Sequence, residues 1–367
     1  MLSILTDTVY SAYARYFTHA TLVEGTLKGS DVASRCLMVM PRNSPFEHYL
    51  LRRMYGESFT RVRVRRIWIP ALKRLAKNLP ADVDFCIAAL PSRWDRTFAT
   101  LHDFKSPTIV RQVIDLSGDW PDITKRFNKK KREIFNRLTK KNPYEFRISK
   151  ELADFDHFYR RMYFPHTEKQ FGKAAKIDSY ETLKTYFQRG FLLLVTEGGV
   201  DVGGSLCFFE GDTMVFHRGG VLDGNEEHVN NGAQTSLYFY KIRYAKEQKR
   251  ARLDLGHSRA FFDDGVYRHK REWGASVTVD DDLKSWLYFF NPKSCRQGAS
   301  MFRKNPLIVH TGDGLKGYCV VPEDAELSDA EKRDIAKRYD SPGIRGIVFK
   351  SHNGRSVVPP ADVQPSG

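Results

Sequence analysis

FLLLVTEGGVDVGGSLCFFEGDTMVFHRGG, residues 191–220, reads as three strands in immediate succession. The apolar runs Phe191–Glu197, Val202–Phe209 and Met214–Gly220 are separated by Gly198-Gly199 and Gly211-Asp212, the residue types that tight hairpin turns require. Connections this short force antiparallel neighbours. Working outward, a short strand at Glu145–Ile148 precedes Leu152, Phe155, Phe158, Tyr159 and Met162 at helical spacing, and Leu183, Tyr186 and Phe187 repeat that spacing. On the other side, Asn230-Asn231-Gly232 opens a helix with Ala233, Leu237, Tyr240 and Tyr244 in one stripe and Lys241, Lys246, Lys249 and Arg250 on its polar side. The chain then returns to a strand, Arg252–Gly256. A helix of that length between two strands is a parallel crossover, so Met214–Gly220 and Arg252–Gly256 are expected side by side. A short helix near Asp264–Arg271 and strands at Ala275–Val279 and Ser285–Phe290 complete the order β-α-α-β-β-β-α-β-α-β-β.

The remaining sequence bounds the setting. At 367 residues and 41% hydrophobic content the chain fills two domains of ordinary size. Residues 1–120 read as mixed α/β, with a helix around Thr8–Tyr16, another opened by Asn43-Ser44-Pro45, and strands near Thr60–Ile69, Val83–Leu90 and Thr108–Leu116. The tail has a helix at Ser328–Arg338, capped by Ser328 with Glu331 behind it, and VVPPADVQPSG reads as disordered. Five scattered cysteines, Cys36, Cys86, Cys207, Cys295 and Cys319, with no zinc-type spacing, point to reduced thiols, a cytosol-like compartment and no metal. Asp7 and Arg15 interrupt the start where a signal peptide needs an apolar run, and Phe85–Leu90 is too short to span a bilayer, so neither export nor an integral anchor is expected. The balance of 59 Lys+Arg against 44 Asp+Glu, formally +15, favours a polyanionic neighbour: nucleic acid, anionic lipid, coenzyme A phosphates or nucleotide-linked sugars. The long run of one sign is Lys125–Lys141, whose Ile123, Phe127, Ile134 and Leu138 make an amphipathic basic helix. It suits an RNA backbone, the surface of an anionic membrane, or a solvated link between domains.

Three stretches carry a resemblance to the two-lobed FemAB-like branch of the GNAT N-acyltransferases: DLSGDWPDITKRFNKKKREIFNRL (115–138), GGSLCFFEGDTMVFHRGGVLDG (203–224) and LDLGHSRAFFDDGVYRHKREWGA (253–275). The third is the most specific, a strand ending in Gly, a loop, then a Lys followed closely by Trp-Gly. The likeness covers about residues 108–290. It implies an α/β (α+β) fold with a GNAT-like mixed sheet flanked by helices, in two GNAT-like lobes. The expected domains are an N-terminal lobe (1–120), a basic connecting helix (121–142), a C-terminal acyltransferase lobe (143–305) and an extension (306–367). The implied reaction moves an acyl or aminoacyl group from acyl-CoA or aminoacyl-tRNA, as co-substrate and not as a resident cofactor, to an amine on a small-molecule or lipid-linked acceptor such as a cell-envelope or exopolysaccharide precursor. The protein would be cytoplasmic, with peripheral contact at the inner membrane face. Acyl-CoA users of the fold carry Gln or Arg, two residues, Gly, one residue, then Gly or Ala. Here Val229 and Gln234 stand at the ends of that pattern, which favours the tRNA donor. The rival is a catalytically degenerate relative that binds RNA or scaffolds a polysaccharide-synthesis complex.

The expected site follows from these elements. His257 is the proton acceptor, being the side chain whose ordinary pKa lies nearest neutrality, at the end of a central strand. Asp254 acts as base, as orienting partner or as half of a structural ion pair, and Lys270 meets phosphate or developing negative charge. Asn231, Gly232 and Ala233 at the crossover helix N-terminus, with Ser258, Arg259 and Arg271, are the expected carrier contacts. His166 and Gln170, with Lys169 and Lys173, lie in a connection facing the acceptor. His217 and Arg218 point to opposite faces of their strand, one of them into the cleft. Gly219-Gly220 are read as a bulge or a close backbone approach.

Overall fold

The computed structural model describes residues 16–29, 31–172, 177–281, 283–290, 296–321, 328–351 and 356–357. It is a mixed α/β protein of two compact units. One comprises the chain up to Val110, Arg259–Tyr267 and the chain from Thr278 on; the other comprises Arg111–Ser258 and Arg268–Val277. This division differs from the expected one. The tail joins the first unit. The basic stretch belongs to the second, and Ser285–Phe290 is a central strand of the first unit's sheet.

That first sheet contains β1 (Phe17–Thr26), β2 (Ala33–Met40), β3 (Phe59–Trp68), β4 (Phe85–Pro91) and β5 (Phe104–Pro107). Late in the chain it gains β13 (Ser285–Phe290), β14 (Leu307–Thr311), β15 (Gly314–Val321), β16 (Ile347–Ser351) and β17 (Ser356–Val357), in the order β17-β16-β15-β14-β5-β13-β4-β2-β1-β3. β4 and β13 pair antiparallel, and Phe85, Ile87, Leu287 and Phe289 are buried in one shared cluster. Helix Pro45–Tyr55 starts where Ser44 accepts the Glu47 N–H and Pro45 supplies a preset φ, as its sequence predicts. The expected helix at Thr8–Tyr16 lies almost wholly outside the described residues, as does the end of the tail.

The second sheet contains β6 (Val110–Asp115), β7 (Glu145–Ser149), β8 (Phe191–Glu197), β9 (Val200–Glu210), β10 (Thr213–Val221), β11 (Arg252–Ser258) and β12 (Ser276–Thr278), ordered β12-β6-β11-β10-β9-β8-β7. The β7–β10 meander is antiparallel and β10 runs parallel to β11, the GNAT-like arrangement expected. β6 lies between β11 and β12, so the strand near 275 does not neighbour β11. Both faces of the meander are buried. Leu192, Leu194 and Leu206 pack beneath Phe155, Phe158, Met162 and Leu183, while Phe191, Leu193 and Cys207 pack beneath Leu237, Phe239 and Trp273. A strand covered on both sides reads as a continuous apolar run, which is why FLLLV was legible.

Local chemistry corrects several expectations. The basic stretch is two helices, Trp120–Lys125 and Lys129–Lys140, because Asn128 accepts the Lys131 N–H at 2.8 Å and restarts the helix. Residues 164–171 are helical rather than a loop, continuing Leu152–His157 through a π-helical turn at Phe158–Tyr163. Gly219-Gly220 are not the bulge. A Cβ on Gly220 would stand 2.3 Å from the Met162 carbonyl oxygen, so Gly220 lets the π-turn backbone lie on the strand. Among the described residues no helix is long and apolar enough to cross a membrane.

Candidate active site

β10 and β11 open a wedge. They pair at Thr213↔Arg252, Met214↔Leu253 and Val215↔Asp254, and the parallel pairing stops there although the strands continue to Val221 and Ser258. The cause is local. The Asp254 carboxylate accepts the Gly256 N–H at 2.7 Å, and Gly256 has φ +71°, a left-handed conformation that turns β11 away. On β10 the register against β9 shifts between Phe216 and Arg218. One strand is capped by its own carboxylate and the other is bulged, so the strands part.

Against Phe216, the β10 residue that follows the last position paired with β11, packs a residue expected on the polar side of its helix. Lys241 is 1% exposed, with Nζ 3.4 Å from the Phe216 ring centroid and 4.0 Å from that of Tyr238. Among the described residues its ammonium has these aromatic faces and no carboxylate. Burial pulls its pKa from the ordinary 10.5 to about 7, against a smaller opposing effect of the Cys207 thiol, itself pushed by burial up to about 12. The helix is apolar nearly all round, with Ser236, Leu237, Tyr238, Phe239, Tyr240, Lys241 and Ile242 all buried, so no stripe pattern could identify the inward lysine. The signal available was the density of aromatics around it, Tyr238-Phe239-Tyr240.

The helix Gly265–Glu272 and Trp273 close this side. Trp273 stacks on Tyr238 at 6.0 Å and 7°, and His269 meets the same ring edge-on at 4.7 Å. Burial first, then the charges of Lys131, Lys241 and Lys270, hold His269 neutral, down at about 3. Lys131 turns inward, 5.3 Å from the Trp273 centroid and 3.6 Å from Glu272, whereas Lys129 and Lys130 are exposed.

Several expected residues gather at the C-terminal end of β11. Lys270 is buried and donates through Nζ to the His257 carbonyl at 2.8 Å, so it holds the strand end rather than reaching outward for a phosphate. His257 is exposed on that same segment. Asp254, 4% exposed, has Arg111 at 3.5 Å, the structural ion pair among the roles considered. Ser258 is buried and donates to Gln112 at 2.6 Å, a core contact instead of a carrier contact. Arg271 lies in the last turn of its helix.

Other expected residues are placed elsewhere. Arg259 belongs to the other unit, where its guanidinium lies over the Phe46 and Tyr49 rings at 4.7 and 5.4 Å. His217 and Arg218 do not point to opposite faces, because the bulge breaks the alternation: His217 stacks on Tyr186 at 3.9 Å, and Arg218 pairs at 2.5 Å with Asp178, just ahead of Tyr186's helix. Burial, with Arg218 beside it, takes His217 down to about 4. His166 and Gln170 sit one turn apart on helix Phe164–Phe171. Lys169 donates to the Asp223 carbonyl at 2.8 Å, and Lys173 lies outside the described residues. At the crossover helix, Asn231 ends a preceding helix, Glu226–Asn231, and Gly232 at φ +106° turns directly into the next. Ala233 is fully buried and the Asn231 carbonyl accepts the Tyr144 hydroxyl at 3.0 Å. Among the described residues no group of three His, Cys, Asp or Glu is placed to hold a metal ion.

No family model matches the chain, and no curated protein does. Solved structures align with it at low identity. FemX is 11% identical, covering 75% of this chain and 85% of that one, at a TM-score of 0.37. L-PGS from Bacillus licheniformis is 11% identical over 73% and 83%, at 0.34. The ribosomal-protein-S18-alanine N-acetyltransferase from Escherichia coli is 13% identical over 40% and 91%, at 0.26. Likenesses of this size carry no argument about chemistry, which rests on the wedge itself.

Proposed function

We propose that this chain is an N-acyltransferase that moves an acyl or aminoacyl group from a carrier to an amine, with the carrier's ester or thioester lying in the wedge between β10 and β11. The observation that supports it is the parting of two parallel strands at Asp254 and Gly256, with a buried, acid-free lysine against Phe216 just past the last pair. Strands that part in mid-sheet leave backbone N–H and C=O groups without ladder partners, and an extended carrier arm satisfies such groups.

The roles then divide. The acceptor nitrogen attacks the carbonyl carbon, a C–N bond forms, the bond from carbon to the carrier's oxygen or sulfur breaks, and the amine proton passes by way of His257 to the departing carrier. Lys241, when protonated, places positive charge in a water-poor environment beneath the carbonyl oxygen that turns negative. Lys270 and Asp254 are positioning residues: one holds the His257 carbonyl and the other ends the strand ladder. The closed entry to the crossover helix, with Glu226 and Glu227 before it and Ala233 buried, supports an aminoacyl-tRNA donor over acyl-CoA. A lipid-linked cell-envelope or exopolysaccharide amine is the acceptor class proposed, with the protein cytoplasmic and peripheral to the membrane.

The degenerate RNA-binding reading draws on the exposed Lys129, Lys130, Arg137, Lys140 and Lys141. Thermal shift with coenzyme A, uncharged tRNA and nucleotide sugars separates the two. An enzyme gives a saturable shift with one carrier that Asp254→Ala abolishes. A degenerate binder gives RNA affinity that falls steeply with salt and that Asp254→Ala leaves unchanged.

A further inference from the structure

The first unit carries a second cationic run that the reading of charge blocks passed over because valines interrupt it. Residues 58–81 contain Arg61, Arg63, Arg65, Arg66, Lys73, Arg74 and Lys77 and no Asp or Glu. Most of these residues lie on β3, the edge strand of the ten-stranded sheet, and on the following helix Leu72–Lys77. Arg63, Arg65, Arg66, Lys73, Arg74 and Lys77 are all exposed. An open cleft of about 420 Å³ is lined by Lys73, Arg74, Lys77, Asn78, Thr97, Thr100 and Leu101: three cations, hydroxyl and amide donors, and no acid. Beside it lies an apolar rim. Trp68 is 52% exposed and Tyr16 51%, and Phe17, the direct cross-strand partner of Trp68, is 36% exposed. Rim and cleft share elements. Trp68 leads through Ile69–Ala71 into the helix bearing Lys73, and Tyr16 meets Trp94 edge-on at 5.9 Å, just before the turn that carries Thr97.

We infer that this face of the first unit docks on an anionic bilayer, with Trp68, Phe17 and Tyr16 at headgroup level and a lipid phosphate in the Lys73–Arg74–Lys77 cleft. Aromatic rings with a polar edge settle at the membrane–water boundary, and basic residues beside them gain from the negative surface potential. Single-stranded RNA fits less well. It needs ring faces open for stacking along a groove, whereas here the exposed rings cluster at one end of the sheet and Tyr16 is set edge-on to Trp94 at 77°. The inference stands whether or not the chain transfers acyl groups.

The test uses the full chain and vesicles of phosphatidylcholine with and without phosphatidylglycerol, read by co-sedimentation and by tryptophan emission. Binding should require phosphatidylglycerol, fall with salt and shift the emission to the blue. Replacing Lys73, Arg74 and Lys77 together by Gln should weaken it roughly 100-fold, at about fivefold per cation near such a surface. Trp68→Ala should remove most of the emission shift. A matched triple on the basic helix, Lys129→Gln with Lys130→Gln and Arg137→Gln, removes the same charge and should cost only a few-fold. Equal losses from both triples, binding to phosphatidylcholine alone, stabilisation by inorganic phosphate without vesicle binding, or RNA binding lost with the cleft triple while vesicles stay unbound would each overturn the inference. All six substituted cations are solvent-facing, so unchanged melting curves confirm that the variants fold.

Discussion

Lys241→Met should make this protein more stable at neutral pH while abolishing its activity. The side chain is 1% exposed, and burial takes its pKa from 10.5 to about 7. A fall of that size corresponds to about 5 kcal/mol of penalty on the charged form. The native pKa is the lower one, so between about pH 7 and 10.5 the unfolded chain binds more protons than the folded chain, and stability rises with pH across that window. The cost is full below about pH 7 and gone above about pH 10. Methionine keeps the volume and removes the charge, so the variant should exceed the parent by up to about 5 kcal/mol near pH 6, and the gap should have largely closed near pH 10. Urea denaturation at a series of pH values, followed by tryptophan fluorescence, measures it; Trp120 and Trp273 report on this unit. A gap that does not change with pH, or a variant less stable than the parent at neutral pH, would refute the account of Lys241 as a buried charge without an acid partner.

Activity supplies a second reading of the same groups. The rate should fall as pH rises through about 7, where Lys241 loses its charge. His269→Gln should leave the profile's shape unchanged because His269, down at about 3, is neutral throughout. Asp254→Ala leaves the Gly256 N–H without its carboxylate acceptor, removes the ion pair with Arg111 and should cost about 1–3 kcal/mol in a denaturation midpoint, together with most of the activity. Gly220→Ala drives a Cβ to 2.3 Å from the Met162 carbonyl oxygen and should cost at least about 1–3 kcal/mol, visible as a lowered melting temperature. Cys36, Cys86, Cys207 and Cys319 are buried, with the Cys207 and Cys319 thiols pushed up to about 12, so these four should react with a thiol reagent only after unfolding.

The local code of this chain was legible wherever a short segment decides its own conformation. The Gly-Gly and Gly-Asp turns set three antiparallel strands, the length of the helix after Gly232 set a parallel crossover, and Ser44 and Ser328 announced their helices, because turns, caps and periodicity depend on residues a few positions apart. Asp254-Leu255-Gly256 even held the cause of the wedge, a carboxylate two residues before a glycine able to turn left-handed. What depends on distant partners was settled only in three dimensions. Ser285–Phe290 has strand chemistry that suits either sheet, and packing against β4 decides which one receives it. Lys241 and Lys246 carry the same charge on the same helix, yet Lys241 is buried against Phe216, a strand residue far away in sequence, and Lys246 reaches the Leu116 carbonyl at 2.9 Å. Pattern reports which side chains prefer to avoid water. Which charged side chain is denied it depends on the whole surrounding fold.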